Sequence, residues 1–298
     1  MKKNILRVFI LFCLIQSNLH AEEALKHPFL WKIEKGNQHA YLFGTMHLPM
    51  PELKVLSKNI STIIDGCDGV RTEIDMSFMN QMKASTLMLR EDNRTFKEIL
   101  PKGLYRRSQV YLKTISPALN LQPFTQMKVW AFSMTLGLLK DAMQNIGLKV
   151  IDEQIFTYGK EQNKSTDGIE TIEEQMGYFD SFSMAEQLLM LESTLDYLES
   201  NENYSEEMKL LYLEGDEKKM MAFVMQQFQD KKYEKLEEKF MEVLLYSRNK
   251  IMAKRIETLL VENPKKSYFF AFGTMHFLDK RSVIEVLRKR GYSIHRVK

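Results

Sequence analysis

The pentapeptide Phe-Gly-Thr-Met-His occurs twice in this chain, at residues 43–47 and again at 272–276, 229 positions apart. Each copy closes a short apolar run, "HAYLFGTMH" near the start and "SYFFAFGTMH" near the end. Runs rich in aromatic and apolar residues that stop at a glycine read as strands. Both ends of the chain are therefore predicted to supply a strand that delivers a histidine past Gly44 or Gly273. If the two strands are neighbours, everything between them is one long excursion that has to return.

The segments after the two copies are alike. "PELKVLSKNISTIIDG" places Pro51 near a helix start and Leu53, Leu56, Ile60 and Ile63 or Ile64 at helical spacing. Gly66 closes it, and "GVRTEID" reads as a second strand ending near Glu73 and Asp75. After the second copy, "DKRSVIEVLRKRG" reads as a helix stopped by Gly291 and "YSIHRVK" as a closing strand. Each end is thus a βαβ unit, whose strands run parallel. Between them, residues 76–262 are predominantly helical in pattern, with apolar residues at three- and four-residue steps in "QMKVWAFSMTLGLLKDAM", "SMAEQLLMLESTLDYLES" and "EKLEEKFMEVLLYSRNKIMAKRIETLL". "KSTDGIET" stands out as a short strand and turn. Most of the 20 Met lie in this region, and at helical spacing they read as core filler. No Pro/Gly/Ser-rich linker divides the chain. The expectation is an α/β (α+β) fold in one domain over 22–298: a parallel or mixed sheet built from both chain ends, carrying a helical insertion at about 76–262.

Residues 1–21 are set apart. Lys2, Lys3 and Arg7 precede the apolar run Val8–Ile15, then polar residues and the small Ala21, which is the pattern of a secretory signal peptide. The run is well short of the ~20 residues of a spanning helix, so no stable membrane span is expected after cleavage. The expected location is accordingly periplasmic or secreted. The leader carries three of the 42 basic residues and none of the 39 acidic ones, so the remainder balances at 39 each. A neutral chain gives no general case for nucleic-acid or anionic-membrane binding. Cys13 falls in the leader, leaving Cys67 without an intrachain partner, and Cys67 reads as a small buried hydrophobe. Long helices with apolar surface are compatible with a homodimer, though nothing specifies one.

In α/β sheets, residues just past the carboxyl ends of parallel strands face the ligand crevice. His47, His276 and Glu73 are all predicted there. Gly44 and Gly273 permit close backbone approach, and Thr45 and Thr274 are suited to cap a following turn. Two imidazoles and a carboxylate form an open set for Zn²⁺ or another first-row metal, and without metal the same trio suits general acid–base chemistry. His27, His39 and His295 have no matched setting. HExxH, paired CxxC, GxSxG and GxxxxGK[ST] are all absent from the sequence, so serine-triad, Rossmann and P-loop chemistry lose their usual support.

The paired Gly-x-x-His motifs, with Glu73 of "VRTEID" between them, resemble the TraB/PrgY/GumN family, to which the TIKI metalloproteases are related. The resemblance runs from about Leu30 to Val297 and is most specific at "RNKIMAKRIETLL" followed by "FFAFGTMHFLDKRSVIEVLRKRGYSI". "IDEQIFTYGK" and "GIETIEEQ" match family stretches in order and position. The resemblance implies metal or catalytic roles for His47, Glu73 and His276, and further motif positions at Glu170, Arg248 and Asn249. It implies a metal-dependent hydrolase, in TIKI proteins a protease using manganese or cobalt. The Thr-Met between Gly and His is bulkier here than in many members. By their residue types, Arg248 suits clamping a substrate carboxylate or stabilising an oxyanion, Asn249 a local hydrogen-bonding duty, and Glu170 a helix-start carboxylate.

The leading expectation is an exported hydrolase using Mn, Co or Zn to cleave amide bonds in a peptide or protein, with Arg248 and Asn249 positioning the substrate or the anionic intermediate. Two alternatives stay open: a non-catalytic binding protein for a metal, a haem-type ligand or a signalling peptide, and a metal-free esterase with histidine as general base.

Overall fold

The computed structural model describes residues 25, 27–200, 204–227 and 230–297, so the expected leader lies outside the described residues. Strands β1 (Leu30–Lys35) and β2 (Gln38–Thr45) form an antiparallel hairpin pairing Lys35 with Gln38. Its two-residue turn starts at Gly36, whose φ of +62° suits a residue without Cβ. The helix expected from Pro51 is split. Pro51–Leu53 forms a 3₁₀ turn, and helix α1 (Lys58–Asp65) restarts at Ser57, whose hydroxyl accepts from the Ile60 amide. Strand β3 (Gly69–Thr72) comes after it.

Helices α2 (Phe78–Leu87), α3 (Phe96–Ile99), α4 (Lys102–Ile115), α5 (Val129–Gln144) and α6 (Ile151–Glu161) come next. Strand β4 (Ser165–Gly168) is the short strand read in "KSTDGIET". It is followed by α7 (Ile172–Asp180), α8 (Met184–Ser200), α9 (Tyr204–Glu214), α10 (Glu217–Gln227) and α11 (Glu234–Met241). A π-helical turn, Glu242–Tyr246, leads into α12 (Ser247–Glu262). Strand β5 (Tyr268–Gly273), helix α13 (Val283–Lys289) and strand β6 (Ser293–Arg296) complete the order.

The sheet runs β4-β3-β5-β2-β1-β6. Strands β4, β3, β5 and β2 are parallel neighbours, while β1 is antiparallel to both β2 and β6. The strands of each βαβ unit share a direction as expected, but they are not adjacent. Strand β5 separates β2 from β3, and β2 with β1 separates β5 from β6. The two chain ends therefore interleave, placing the FGTMH strands side by side with Thr45 opposite Gly273.

Interleaving explains the composition of β5. Phe269, Phe270, Ala271 and Phe272 are all 0% exposed, because a central parallel strand is covered on both faces and shows no polar alternation. They pack with Leu42, Phe43, Val70, Met252 and Ile256, and each such side chain contributes about 1.5–3 kcal/mol of burial. The helical region adds further cores of its own. One gathers Phe96, Leu112, Phe132 and Leu191; in another, Trp130 stacks on Phe179 at 4.8 Å. Its methionines divide between filler (Met190, Met220, Met252) and surface (Met79, Met82, Met143). Cys67 is buried, and burial pushes its thiol up to about 11, as suits a core residue and not a nucleophile. Among the described residues no helix is long and apolar enough to cross a membrane.

Gly44 sits where the two ends touch. A Cβ there would lie 2.9 Å from the Phe29 Cβ and the Thr274 Oγ1, and 3.1 Å from the Thr274 Cα. Gly44→Ala is expected to lower unfolding free energy by about 1–3 kcal/mol in urea melts. Gly177→Ala, inside α7 with nothing within 4 Å of the new methyl, should raise it by about 0.5–1 kcal/mol. A neutral Gly44→Ala would contradict this packing.

Candidate metal and catalytic centre

All four parallel strands end at one opening. Just beyond β2 stands His47, beyond β3 Glu73, beyond β5 His276, and beyond β4 Glu170. Helix α12 brings Arg248 and Asn249 from its first turn, both buried although a mid-helix position reads by default as solvent-facing. The six candidates form one connected cluster.

Glu73 is its hub. Its Oε1 accepts the Gly273 amide (2.7 Å) and lies 3.7 Å from the His47 Nε2 and 3.6 Å from the His276 Nε2. Its Oε2 accepts from Arg248 Nη2 (2.6 Å) and Gln175 Nε2 (2.9 Å). Gly273 leaves room for this meeting: a Cβ there would come within 3.1 Å of Glu73 Oε1 and 3.3 Å of His47 Nε2. The imidazoles are held from behind. His276 Nδ1 lies 2.6 Å from Asn249 Oδ1, and His47 Nδ1 lies 3.1 Å from Asp152 Oδ2. With carboxylate or amide oxygen as acceptor, each Nδ1 carries a proton and each Nε2 faces Glu73; neutral His276 keeps a lone pair there, whereas His47 must shed a proton before its Nε2 can ligate. His276 is buried, whereas the His47 side chain is 56% exposed at the mouth.

These neighbours set the electrostatics. Burial works against the Glu73 charge, but Arg248 and the two imidazoles outweigh it and hold the carboxyl well below its usual range. Burial drives His276 down to about 3, so it is a neutral imidazole. His47 is raised well above 6.5, chiefly by the charge of Asp152. Glu170 is pushed up by burial against the pull of Arg248.

Some sequence-based roles change and others hold. Arg248 donates from Nε and Nη2 to Glu170, from Nη2 to Glu73 and from Nη1 to the Leu244 carbonyl, so every guanidinium nitrogen is already engaged and a substrate clamp is not available. Asn249, 0% exposed, bridges His276 and the Arg281 carbonyl, the local hydrogen-bonding duty expected of it, so its amide is committed to the protein and not free to position a substrate. Glu170 stands directly before the N-cap of α7, at the helix start as expected, but its carboxylate serves another partner. Thr171 and Glu174 form the capping box of α7, and Glu170 turns inward to Arg248. The motif threonines do not cap. The Thr274 hydroxyl donates to the Thr45 carbonyl (2.8 Å), pinning the sister loops together, and the Thr45 hydroxyl donates to Asp152 (2.5 Å).

Asp152 and Gln175 are site residues that the sequence does not single out. Both lie inside the stretches "IDEQIFTYGK" and "GIETIEEQ", yet helical periodicity does not mark which carboxylate or amide turns inward. The signal available is Asp152 in the first turn of α6 beside the apolar Ile151 and Ile155.

The donor set suits a divalent ion by its chemistry: two Nε2 atoms and one carboxylate oxygen face one another, with an acceptor behind each Nδ1, and an ion entering would displace the proton from His47 Nε2. As the side chains stand, no three His, Cys, Asp or Glu among the described residues form a closed metal cage. Donors sharing an ion at ~2.1 Å would sit about 3.0–3.4 Å apart, so the trio is slightly open.

Residues 29–296 match the family model of the TraB/PrgY/gumN family. The chain is similar to metalloprotease TIKI2 of Xenopus tropicalis, 25% identical over 311 residues, covering 90% of this chain and 59% of that protein. A metalloprotease TIKI homolog of Nematostella vectensis is 24% identical, with 91% and 67% covered, and human metalloprotease TIKI1 is 23% identical, with 93% and 63% covered. The chain thus spans about three fifths to two thirds of these curated relatives. No solved structure matches it significantly.

Arg248→Ala, which leaves Glu73 and Glu170 without their shared cation, should cost about 3–5 kcal/mol in urea unfolding. An unchanged midpoint would mean the pair carries no stability. Glu174 is held at about 2, foremost by its hydrogen bonds to Arg255, which also grips the Ile169 carbonyl and so fixes the turn bearing Glu170. A depressed carboxyl stabilises above its unfolded value of 4.5 and loses that contribution as pH falls through about 2. Glu174→Gln should therefore be less stable than wild type at pH 7, with the two converging toward pH 2.

Proposed function

The chain belongs to the TraB/PrgY/gumN family, and on that footing we propose that it is an exported metal-dependent hydrolase cleaving amide bonds in a peptide or protein. The ion, Mn, Co or Zn, would be held by His47 and His276 through Nε2 and by Glu73 through Oε1. One observation carries this reading: two imidazoles from sister loops turn the same nitrogen toward one carboxylate oxygen, at 3.6 and 3.7 Å. The metalloprotease names of the relatives support the same class of chemistry. Export rests on the charged, apolar and small-residue order of residues 1–21.

A divalent ion there would supply Lewis-acid polarisation of a substrate carbonyl and acidify water. The chain's own groups fix where that happens. Gly273 N–H, Arg248 and Gln175 lock the Glu73 carboxylate from both oxygens, so it cannot rotate away. His276 and Asn249 form a buried wall, and the exposed edge of His47 leaves the approach for substrate. Arg248 and Glu170 act behind the wall, setting the charge of Glu73 instead of touching substrate.

Elemental analysis of purified protein should find about one divalent ion per chain, and His47→Ala and His276→Ala should each abolish it. Wild type should cut a peptide library, and chelation should stop it. Turnover that survives exhaustive chelation would favour the metal-free esterase, and ion uptake without cleavage would favour the binding protein. Either result overturns the proposal.

A further inference from the structure

The two FGTMH copies are identical in sequence but not in support. His276 is buried and its Nδ1 faces an amide oxygen, that of Asn249, which is itself anchored through Nδ2 to the Arg281 carbonyl at 2.9 Å. His47 stands at the mouth with its side chain 56% exposed. A free imidazole in that position rotates about χ1 and χ2, and a flipped ring turns carbon instead of Nε2 toward Glu73.

The group that opposes rotation is Asp152. It lies 4% exposed at the start of α6, far from both motifs in sequence. One carboxylate oxygen receives the Thr45 hydroxyl at 2.5 Å, and the other lies 3.1 Å from His47 Nδ1. Thr45 belongs to the same FGTMH copy as His47, so the carboxylate clasps the motif at two points. The other copy has no such clasp, since the Thr274 hydroxyl goes to the Thr45 carbonyl. The platform beneath is tied down as well: Tyr212 of α9, 0% exposed, donates its hydroxyl to the Gly44 carbonyl at 2.8 Å.

We propose that Asp152 is the positioning residue of the exposed half of the site, holding His47 with Nδ1 protonated and Nε2 toward Glu73, as Asn249 does for the buried half. This rests on the metal reading above for its consequence, but the orienting role itself needs no ion. An acceptor on the distal imidazole nitrogen is worth about 10–100-fold in metal affinity where such partners have been removed from known sites. The helical region thus supplies the support behind a centre whose ligands come from the sheet strands' ends.

Two measurements on the full mature chain test it. In ¹⁵N-histidine-labelled, metal-free protein, His47, assigned by its loss in His47→Ala, should show a slowly exchanging Nδ1–H signal. Asp152→Ala should abolish that signal, and Asp152→Asn, which restores an acceptor of the Asn249 type, should keep it. Its absence from wild type, or its survival in Asp152→Ala, overturns the proposal whatever the metal result. With Zn²⁺ as probe, Asp152→Ala should bind about 10–100-fold more weakly and Asp152→Asn should lose less. Zn²⁺ affinity within about twofold of wild type in folded Asp152→Ala would overturn the link to the ion. If Asp152→Ala does not fold, Asp152→Asn and Thr45→Val decide: a retained signal in the first and a weakened one in the second support the clasp, and any other pattern defeats it. Wild type that takes up no Zn²⁺, Mn²⁺ or Co²⁺ would sink the metal reading, while the Nδ1–H signal still decides the orientation of His47.

Discussion

A parallel ladder between β2 and β5 pairs residues 228 positions apart, and everything at the site depends on it. Closing so long a loop costs entropy that grows only slowly with length, but it must still be offset by the apolar surface the ladder buries. Four consecutive fully buried residues in β5, facing Leu42 and Phe43, meet that need. Because the strands are parallel, with the two motif copies staggered by a single residue (Thr45 opposite Gly273), their following loops leave the sheet at the same end. The matched histidines then meet as a geometric consequence.

The second constraint is the charge placed at that meeting. A carboxylate out of water is costly unless paired and hydrogen-bonded. Glu73 is satisfied by a guanidinium, an amide and a backbone N–H drawn from α12, α7 and β5. Arg248 in turn requires Glu170, which lies beyond β4. The polar network therefore fastens three elements of the helical region to the sheet ends, and it is why that region cannot be treated as a detachable insertion. The π-helical turn just before Arg248 belongs to this joint, since the Leu244 carbonyl it presents is one of the acceptors for the guanidinium.

Much of this is legible in the chain itself. Direction of the strands, the helical character of the middle, the strand at "KSTDGIET" and the strand-end placement of His47, Glu73 and His276 derive from local periodicity and glycine positions. Strand order does not, because a βαβ pattern specifies direction and leaves open whether a third strand enters between the two. The split of the Pro51 helix is hidden for a similar reason: helical spacing of Leu53, Leu56 and Ile60 is preserved across a break that Ser57 makes by capping. Arg248 and Asn249 stand out as unusual mid-helix residues, yet their burial and their partners depend on which helix face meets the sheet end.

The sequence by itself determined two like strands, two like turns and a carboxylate between them, since these depend on local backbone preferences and on apolar patterning. Only the tertiary structure decided that the two like turns are unequal, one sealed by Asn249 and the other left open and clasped by Asp152. Hydrogen bonds between residues 27 and 105 positions apart are set by the packing of helices on the sheet, and no local pattern encodes which side chain arrives behind which imidazole.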